Sequence, residues 1–178
     1  MSSGPKAPDA EGGQEHHLAA LLPGVVGIRI RRLQALFGNH WQGWFRARGL
    51  AVTPVQGGVL LLIRRFPGIS QIALSRRLRI EAPTLIQSLA PLINQGFVER
   101  DRSAEDGRVY ELRLTEAGLA AAALVEASTP GHEADLLRDL SPEERQVFLA
   151  LLDKAIAGAE AAIEGQDKGE EQDARPSP

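Results

Sequence analysis

Arginine side chains supply most of the chemistry available in the middle of this sequence. Between Ile28 and Arg113 there are fourteen arginines against six acidic residues, although the whole chain has a net charge of −3. Guanidinium groups pair bidentately with phosphate, so this segment favours a polyanion as its partner. Acidic ends that only keep the chain in solution would produce the same asymmetry, and the two interpretations are compatible.

Aromatic residues form a second group with possible binding chemistry. Four of the eight aromatic residues lie between positions 37 and 45 and fall on one broad helical face. The candidate ligand-binding residues of this stretch are Phe37, His40, Trp41, Trp44, Phe45, Arg46 and Arg48. One interpretation is that the rings fill a dimer core. The other is a pocket, in which aromatic walls and an arginine would bind an aromatic carboxylate or an acyl thioester that carries phosphates.

Catalytic and metal-binding chemistry has little support in the sequence. The chain has no cysteine, which removes disulfides, thiol nucleophiles and thiolate metal ligands. No Ser-His-Asp arrangement, P-loop or metal-hydrolase spacing is present, so we expect no catalytic residues, no cofactor and no enzyme. The histidines at 16–17 and the segment His132–Asp135 are loose ligand sets, and we expect solvated surface there rather than a metal site.

The two ends of the chain carry no targeting signal that we recognise. No run of about eighteen apolar residues occurs, which excludes a membrane span on length. The N-terminus lacks the apolar core of a secretory signal. Its composition predicts a disordered arm over residues 1–17, and residues 165–178 read as a disordered acidic tail. We therefore expect a cytoplasmic protein without a membrane partner.

Helix signals occupy much of the remaining chain. Apolar residues at spacings of three and four predict a helix over residues 24–48, which Gly49 would end. Thr53, followed by a proline and then by Gln56, has the pattern of a capping box. It predicts a second helix that is central in its domain and stops before Pro67.

Two shorter helices are predicted next. Ser70 is placed to cap the first of them, and the residues expected to face inward are Ile72, Ala73 and Leu78. The second is predicted over residues 83–96, with Leu85, Leu89, Leu92 and Ile93 as its core face. We expect this helix to be distorted after Ala90, because Pro91 cannot make an internal backbone hydrogen bond.

Two further helices are predicted near the C-terminus. Thr115 is the expected cap of the first, which should run to about Ala127 before Pro130 interrupts it. Ser141, with Glu144 three residues later, is the strongest capping signal of the chain. It predicts a last helix that extends to about Ile163.

A hairpin is predicted between the two sets of helices. Val98–Arg102 and Arg108–Leu114 should pair as strands around a tip at residues 103–107. Two short helices joined by a tight link and followed by a hairpin form the order of a winged helix-turn-helix. The sequence therefore predicts a mainly α fold with a small β-hairpin wing.

The segments "GFVERDRSAEDGRVYELRLTEAG" and "LSPEERQVFLALLDKA" resemble the wing and last-helix patterns of the MarR family of bacterial transcription regulators. The resemblance covers roughly residues 18–163. It implies a winged helix-turn-helix domain over 51–114 and dimerisation helices over 18–50 and 115–164. It implies a homodimer on double-stranded DNA with a pseudo-palindromic operator, and a small ligand that relieves or alters DNA binding.

In a helix-turn-helix, the second helix presents its N-terminal residues to base edges in the major groove. The residues expected to contact bases are Thr84, Ile86, Gln87 and Ser88, and those expected to contact phosphates are Arg76, Arg77 and Arg79. In the hairpin, Arg102 and Arg108 could reach the minor groove or its phosphates. The resemblance also implies an alternative for Arg108, which would pair with Asp106 and brace the wing.

We therefore predict a ligand-responsive, dimeric DNA-binding regulator, and specifically a repressor that a small anionic effector releases from its operator. The alternative is a winged-helix module that binds proteins and has lost DNA binding. The positive charge between Ile28 and Arg113 favours the first function over the second.

Overall fold

The computed structural model describes residues 25–102 and 110–173, with side chains to residue 163. Within these residues the helices are α1 Val26–Arg46, α2 Pro54–Arg65, α3 Gln71–Leu78, α4 Ala82–Asn94, α5 Glu116–Leu136 and α6 Pro142–Asp173. The strands are β1 Ile69–Ser70, β2 Val98–Arg102 and β3 Tyr110–Leu114. The predicted fold class, mainly α with a small β hairpin, is confirmed.

Hydrogen bonds confirm the predicted role of Gly49 after α1 and the predicted start of α2. Gly49 has a φ of +79°, its N–H donates to Arg46 O, and the N–H of Leu50 donates to Phe45 O, which is a Schellman ending. At the start of α2, the N–H of Gln56 donates to Thr53 Oγ1 at 3.2 Å, and the N–H of Thr53 donates to Gln56 Oε1 at 2.8 Å. Both halves of the capping box are therefore present.

The start of α3 is as predicted, but one of its expected core residues is not. The N–H of Ala73 donates to Ser70 Oγ at 3.2 Å, which confirms the cap. Ile72 is 66% exposed, so its assignment to the core is wrong, and Leu74 is the fully buried residue. Leu74 and the partly buried Leu78 are four residues apart on one face, whereas Ile72 lies about 200° around the helix from Leu74.

The sheet has three antiparallel strands in the order β1-β3-β2. Strands β2 and β3 pair from Val98 opposite Leu114 to Arg102 opposite Tyr110, which agrees with the predicted hairpin. Strand β1 was not predicted, because two residues are too few to show the alternation that marks a strand. The predicted hairpin tip, Asp106 and Arg108 lie outside the described residues.

Two prolines lie inside helices that the sequence predicted to be distorted or interrupted. Helix α4 runs through Pro91 to Asn94. Helix α5 runs through Pro130 to Leu136, so the predicted interruption is wrong. Packing beyond the proline accounts for this, because the next turn of α5 lies against α1 through the buried His132.

A tight junction attaches the hairpin to α5. Thr115 Oγ1 donates to Gly96 O at 2.6 Å and accepts the N–H of Gly118 at 3.0 Å, so one hydroxyl joins the start of the hairpin to the first turn of the helix. A Cβ at Gly118 would overlap the carbonyl of Phe97. The "TEAG" segment, residues 115–118, therefore fixes the position of the start of β2 relative to α5.

The chain divides into two compact units, the first ending at Leu136 and the second beginning at Leu137. Helix α6 belongs to the second unit and continues to Asp173, beyond the end predicted at Ile163 and into residues read from the sequence as a disordered tail. Glutamate, glutamine and lysine in this part of the sequence favour a helix, and the next proline is Pro176. In the two described stretches, no helix is both long and apolar enough to cross a membrane.

Candidate nucleic-acid interface and effector pocket

Helix α4 is anchored by one face and open on the other. Leu85, Leu89 and Leu92 are 1%, 2% and 0% exposed, as the sequence predicted for its core face. Burial of each such side chain is worth about 1.5–3 kcal/mol relative to exposure, so three of them hold the helix firmly against the domain. This anchoring fixes the orientation of the opposite face.

The open face of α4 carries the residues predicted to contact base edges. Thr84, Ile86 and Gln87 are exposed, and Ile86 is 57% exposed despite being apolar. Ser88 is half-buried, and its hydroxyl already donates to Thr84 O at 3.0 Å. Three of the four residues therefore present free surface for a partner, whereas Ser88 has its hydroxyl engaged within its own helix.

Three arginines surround the junction between α3 and α4. Arg76 and Arg77 are exposed in the last turn of α3, and Arg79 is exposed in a left-handed conformation with φ 52°. The guanidinium of Arg77 lies 4.0 Å from the ring centroid of Phe66, a cation–π contact that orients it while leaving it exposed. Glu81, at the N-cap of α4, is the exposed acidic residue that begins this helix.

The hairpin arginines have different surroundings. The guanidinium of Arg100 stacks on Tyr110 at 3.6 Å, whereas that of Arg102 lies 5.5 Å from the same ring. Arg113 Nη2 donates to Glu111 Oε2 at 2.9 Å, so this arginine is paired within β3. Arg102 is exposed at the end of β2 nearest the hairpin tip, so it is the described arginine that the hairpin carries furthest from the domain.

A ring cluster joins α1 to α5 around His132. The His132 ring centroid lies 4.8 Å from Phe37, 4.8 Å from His40, 5.2 Å from Trp41 and 6.2 Å from Trp44. The expectation of a solvated His132 is wrong, because this residue is 0% exposed. The prediction failed because a helix break was expected at Pro130. Helix α5 is continuous there, and it places His132 against the aromatic face of α1.

Polar atoms in this ring cluster lack hydrogen-bond partners among the described residues. They are both ring nitrogens of His132, Nδ1 of His40 and Nε1 of Trp44. The other ring nitrogen of His40 lies 2.9 Å from Asp135 Oδ2. Burial is the main cause that lowers the pKa of His132, the neighbouring His40 lowers it further, and Asp135 opposes both. The cluster therefore joins α1 to α5 through contacts between rings.

The remaining predicted ligand residues divide between core and surface. Phe45 is fully buried, and Trp41 Nε1 donates to Val52 O at 3.0 Å, so both belong to the core. The guanidinium of Arg48 lies 3.8 Å from the Trp44 ring, and its Nη1 donates to Trp44 O. Arg46 is exposed on a different side, where it lines a pocket.

That pocket lies between α1 and the start of α2. Its volume is about 170 Å³, and its polar lining includes Gln42, Arg46, Thr53 and Gln56. Gln56 is 7% exposed, and its Nε2 is 3.4 Å from the carbonyl oxygen of Ser88 on α4. Arg46 is the one predicted ligand residue on this lining, and sequence reasoning missed Gln42 and Gln56. The adjacent capping box was the available signal for Gln56, but it indicated a helix start and not a pocket.

No group of three acidic, histidine or cysteine side chains in the described part of the chain is arranged to hold a metal ion. An exposed helix face with flanking arginines suits a polyanion with readable edges, and a small pocket with one guanidinium suits a small anion.

Comparison with known proteins points in the same direction. A family model described as the MarR family matches residues 52–109. A transcriptional regulatory protein for the hcr operon of Thauera aromatica is 31% identical over 131 residues, which cover 73% of this chain and 78% of that protein.

Two solved structures are similar over most of the chain. One is the PcaV transcriptional regulator from Streptomyces coelicolor in complex with its natural ligand, with 25% identity and a TM-score of 0.69. The similarity covers 78% of this chain and 96% of that chain. The other is the transcriptional repressor CouR bound to a 23-mer DNA duplex, with 27% identity, a TM-score of 0.68, and coverage of 78% and 96%.

Proposed function

Since the chain belongs to the MarR family of transcriptional regulators, we propose that it is a dimeric DNA-binding repressor that a small anionic effector releases from its operator. The observation that carries the proposal is the exposed face of α4, held by three buried leucines and flanked by the arginines at 76, 77 and 79. Members of this family regulate transcription and are not enzymes. We further propose that the protein acts in the cytoplasm, where its operator would be.

We assign the contacts with base edges to Thr84, Ile86 and Gln87, and also to Ser88, whose hydroxyl is bonded within its own helix. Gln87 can pair bidentately with an adenine edge, while the arginines neutralise phosphates and fix the register. Arg102, and Arg108 if it does not brace the wing, would contact the backbone or the minor groove. CouR, which is similar over most of this chain, was solved on a DNA duplex, and this supports the same use of the fold here.

A fluorescence-polarisation titration with duplex DNA at several salt concentrations tests this part of the proposal. We expect the affinity to fall steeply as salt rises, because each phosphate contact releases counterions. Gln87→Ala should reduce the preference for a duplex that the protein selects from a random library over an unrelated duplex. Gln95→Ala is the matched control, because Gln95 is an exposed glutamine at the C-cap of the same helix. A protein that binds no duplex at low salt would favour the alternative, a module that binds proteins.

A homodimer is the second part of the proposal. Exposed apolar side chains support it: Val26, Ile30, Leu33 and Leu36 on α1, and Val147, Leu149, Leu151, Ile156 and Ile163 on α6. A second copy of the chain would remove such surface from water. Sedimentation equilibrium should give a dimer, and Leu33→Lys should weaken it, whereas the same change at the exposed polar residue Gln34 should not.

The effector is proposed to bind in the pocket beside Arg46, with its anionic group on the guanidinium. Gln56 would transmit binding, because this buried amide lies between the pocket and the backbone of α4 at Ser88. Five rings of α1 would then pack outside the pocket lining rather than contact the effector: Phe37, His40, Trp41, Trp44 and Phe45. PcaV was solved with its natural ligand, which supports a ligand-responsive role for this fold.

Isothermal titration with simple aromatic acids and with their coenzyme A esters tests the effector. Arg46→Ala should weaken binding at least ten-fold, because a charge-assisted hydrogen bond contributes about 1.5–3 kcal/mol. Arg48→Ala is the discriminating control, since its guanidinium stacks on Trp44 outside this pocket. If Arg48 and not Arg46 matters, the anion binds against the ring cluster. No binding from either set of compounds would refute this effector class.

A further inference from the structure

An apolar cleft lies between α3 and α4, on the same side of the domain as the exposed face of α4. Its volume is about 230 Å³, and its walls include Ile72 and Arg76 from α3 and Leu85 and Ile86 from α4. Leu85 is buried and forms its floor, whereas Ile72 and Ile86 are 66% and 57% exposed at its rim. Two isoleucines from different helices thus border one opening.

Both isoleucines leave most of their apolar surface in contact with water. Single exposed apolar residues are common on protein surfaces, whereas neighbouring ones that form a continuous apolar surface are typical of binding sites. Each is on the face of its helix away from the core, so neither is required for burial of α3 or α4. Arg76 borders the same cleft, which makes a polyanion with apolar groups a better complement than an apolar peptide.

We propose that Ile72 and Ile86 together read the 5-methyl groups of thymine in the major groove of the operator. This inference rests on the proposed DNA binding, and it adds Ile72, from outside the second helix of the motif, to the residues that determine sequence preference. Thymine presents its methyl group to the major groove, where an apolar side chain distinguishes it from cytosine. Arg76 beside the cleft would hold the adjacent phosphate and set the depth of approach.

Uracil-substituted DNA tests the inference directly, because uracil differs from thymine only by the missing methyl group. Duplexes that the full-length protein selects from a random library are resynthesised with dU in place of each dT in turn. We expect one or two positions in each half-site at which dU weakens binding about four-fold, the ratio that corresponds to one buried methyl group. At the other positions the exchange should change affinity little.

Variants connect the effect to the two isoleucines. Ile72→Ala and Ile86→Ala should bind the dT and dU duplexes with nearly equal affinity at the sensitive positions. Both side chains are exposed, so circular dichroism spectra should match the unsubstituted protein. Leu119→Ala is the matched control, since Leu119 is a 48% exposed apolar residue on α5, and it should retain the four-fold preference.

The outcomes separate this inference from the proposed function. Failure to bind any duplex would remove the proposed DNA binding and the inference with it. Selective DNA binding that is indifferent to dU at every position would overturn the inference alone. The inference is also overturned if both alanine variants keep the preference for thymine, or if they change the oligomeric state instead, because the cleft would then serve a second copy of the chain.

Discussion

Replacement of the buried His132 by leucine should stabilise the protein. The imidazole is 0% exposed, and neither ring nitrogen has a hydrogen-bond partner among the described residues. Each buried nitrogen without a partner costs about 1–3 kcal/mol, so leucine, which is of similar size, removes a cost of about 2–6 kcal/mol. Leucine also gives up edge contacts with three rings, each worth about 0.5–1.5 kcal/mol and together about 1.5–4.5 kcal/mol. The midpoints of the two ranges differ by about 1 kcal/mol, so we expect a net gain of that size at pH 8.

The gain should grow as the pH falls. Burial lowers the pKa of His132 in the folded state below 6.5, so below that pH the unfolded chain takes up a proton first. Protons bound by the unfolded state reduce the free energy of unfolding, by at most about 1.4 kcal/mol per pH unit for one histidine. The loss is absent well above pH 6.5, builds up between pH 6.5 and the lowered pKa, keeps its full size below that pKa, and is missing in His132→Leu.

Urea denaturation between pH 5 and pH 8 measures both effects. Trp41 and Trp44 are the two tryptophans of the chain and belong to the ring cluster, so their fluorescence reports its unfolding. Protein concentration is held constant, since dissociation of a dimer would contribute to stability. His40→Gln is the control: it removes the neighbouring imidazole but keeps a donor for Asp135, and it should retain most of the acid-side loss.

Two results would contradict this reasoning. The first is a loss of more than about 1 kcal/mol at pH 8 in His132→Leu, which would mean that the imidazole makes a favourable hydrogen bond in the assembled protein. The second is an unchanged difference in stability between pH 5.5 and pH 8, which would mean that His132 titrates alike in the folded and unfolded states.

Three further substitutions have definite expected outcomes. Gly118→Ala should destabilise the fold by several kcal/mol in chemical denaturation, because its Cβ would overlap the backbone carbonyl of Phe97; a change below about 1 kcal/mol would contradict the tight junction. Arg102→Ala should flatten the dependence of log affinity on log salt concentration by about one unit. Arg113→Ala, which removes an ion-paired arginine, should leave this slope nearly unchanged. Equal slopes for Arg102→Ala and the unsubstituted protein would remove Arg102 from the interface. Thr53→Ala should cost about 1 kcal/mol through loss of the capping box, measured by thermal denaturation, and no loss would mean that the backbone of the first turn finds another partner.

The sequence predicted the helix ends correctly where the two groups of the capping hydrogen bond lie within a few residues of each other. Thr53 and Gln56 form the predicted capping box, Ser70 caps α3, and Gly49 ends α1. Such signals work because a cap hydrogen bond closes over three or four residues, so that the chain needs no distant element to make it. The winged order of the elements, and with it the family, followed from these boundaries.

The burial of individual side chains was predicted less well, because it depends on which helices and strands pack against each other. Ile72 and His132 were assigned to the wrong environments, the first to the core and the second to solvent. The spacing of apolar residues indicates that a helix has an apolar face. It does not indicate which of two possible faces the rest of the domain covers. The two-residue strand β1 is a similar case, since only its pairing with β3 makes it a strand.

The sequence by itself determined the capped starts of the helices, the hairpin, the basic middle segment and membership of a family with a known architecture. Tertiary structure alone decided that Pro130 does not break α5, because the turn after it packs against the rings of α1 through the buried His132. It likewise placed the rings of Phe37, His40, Trp41 and Trp44 around His132, and Arg46 beside an open pocket. Hydrogen bonds along one chain segment are encoded locally, whereas the position of a pocket results from how separate segments pack.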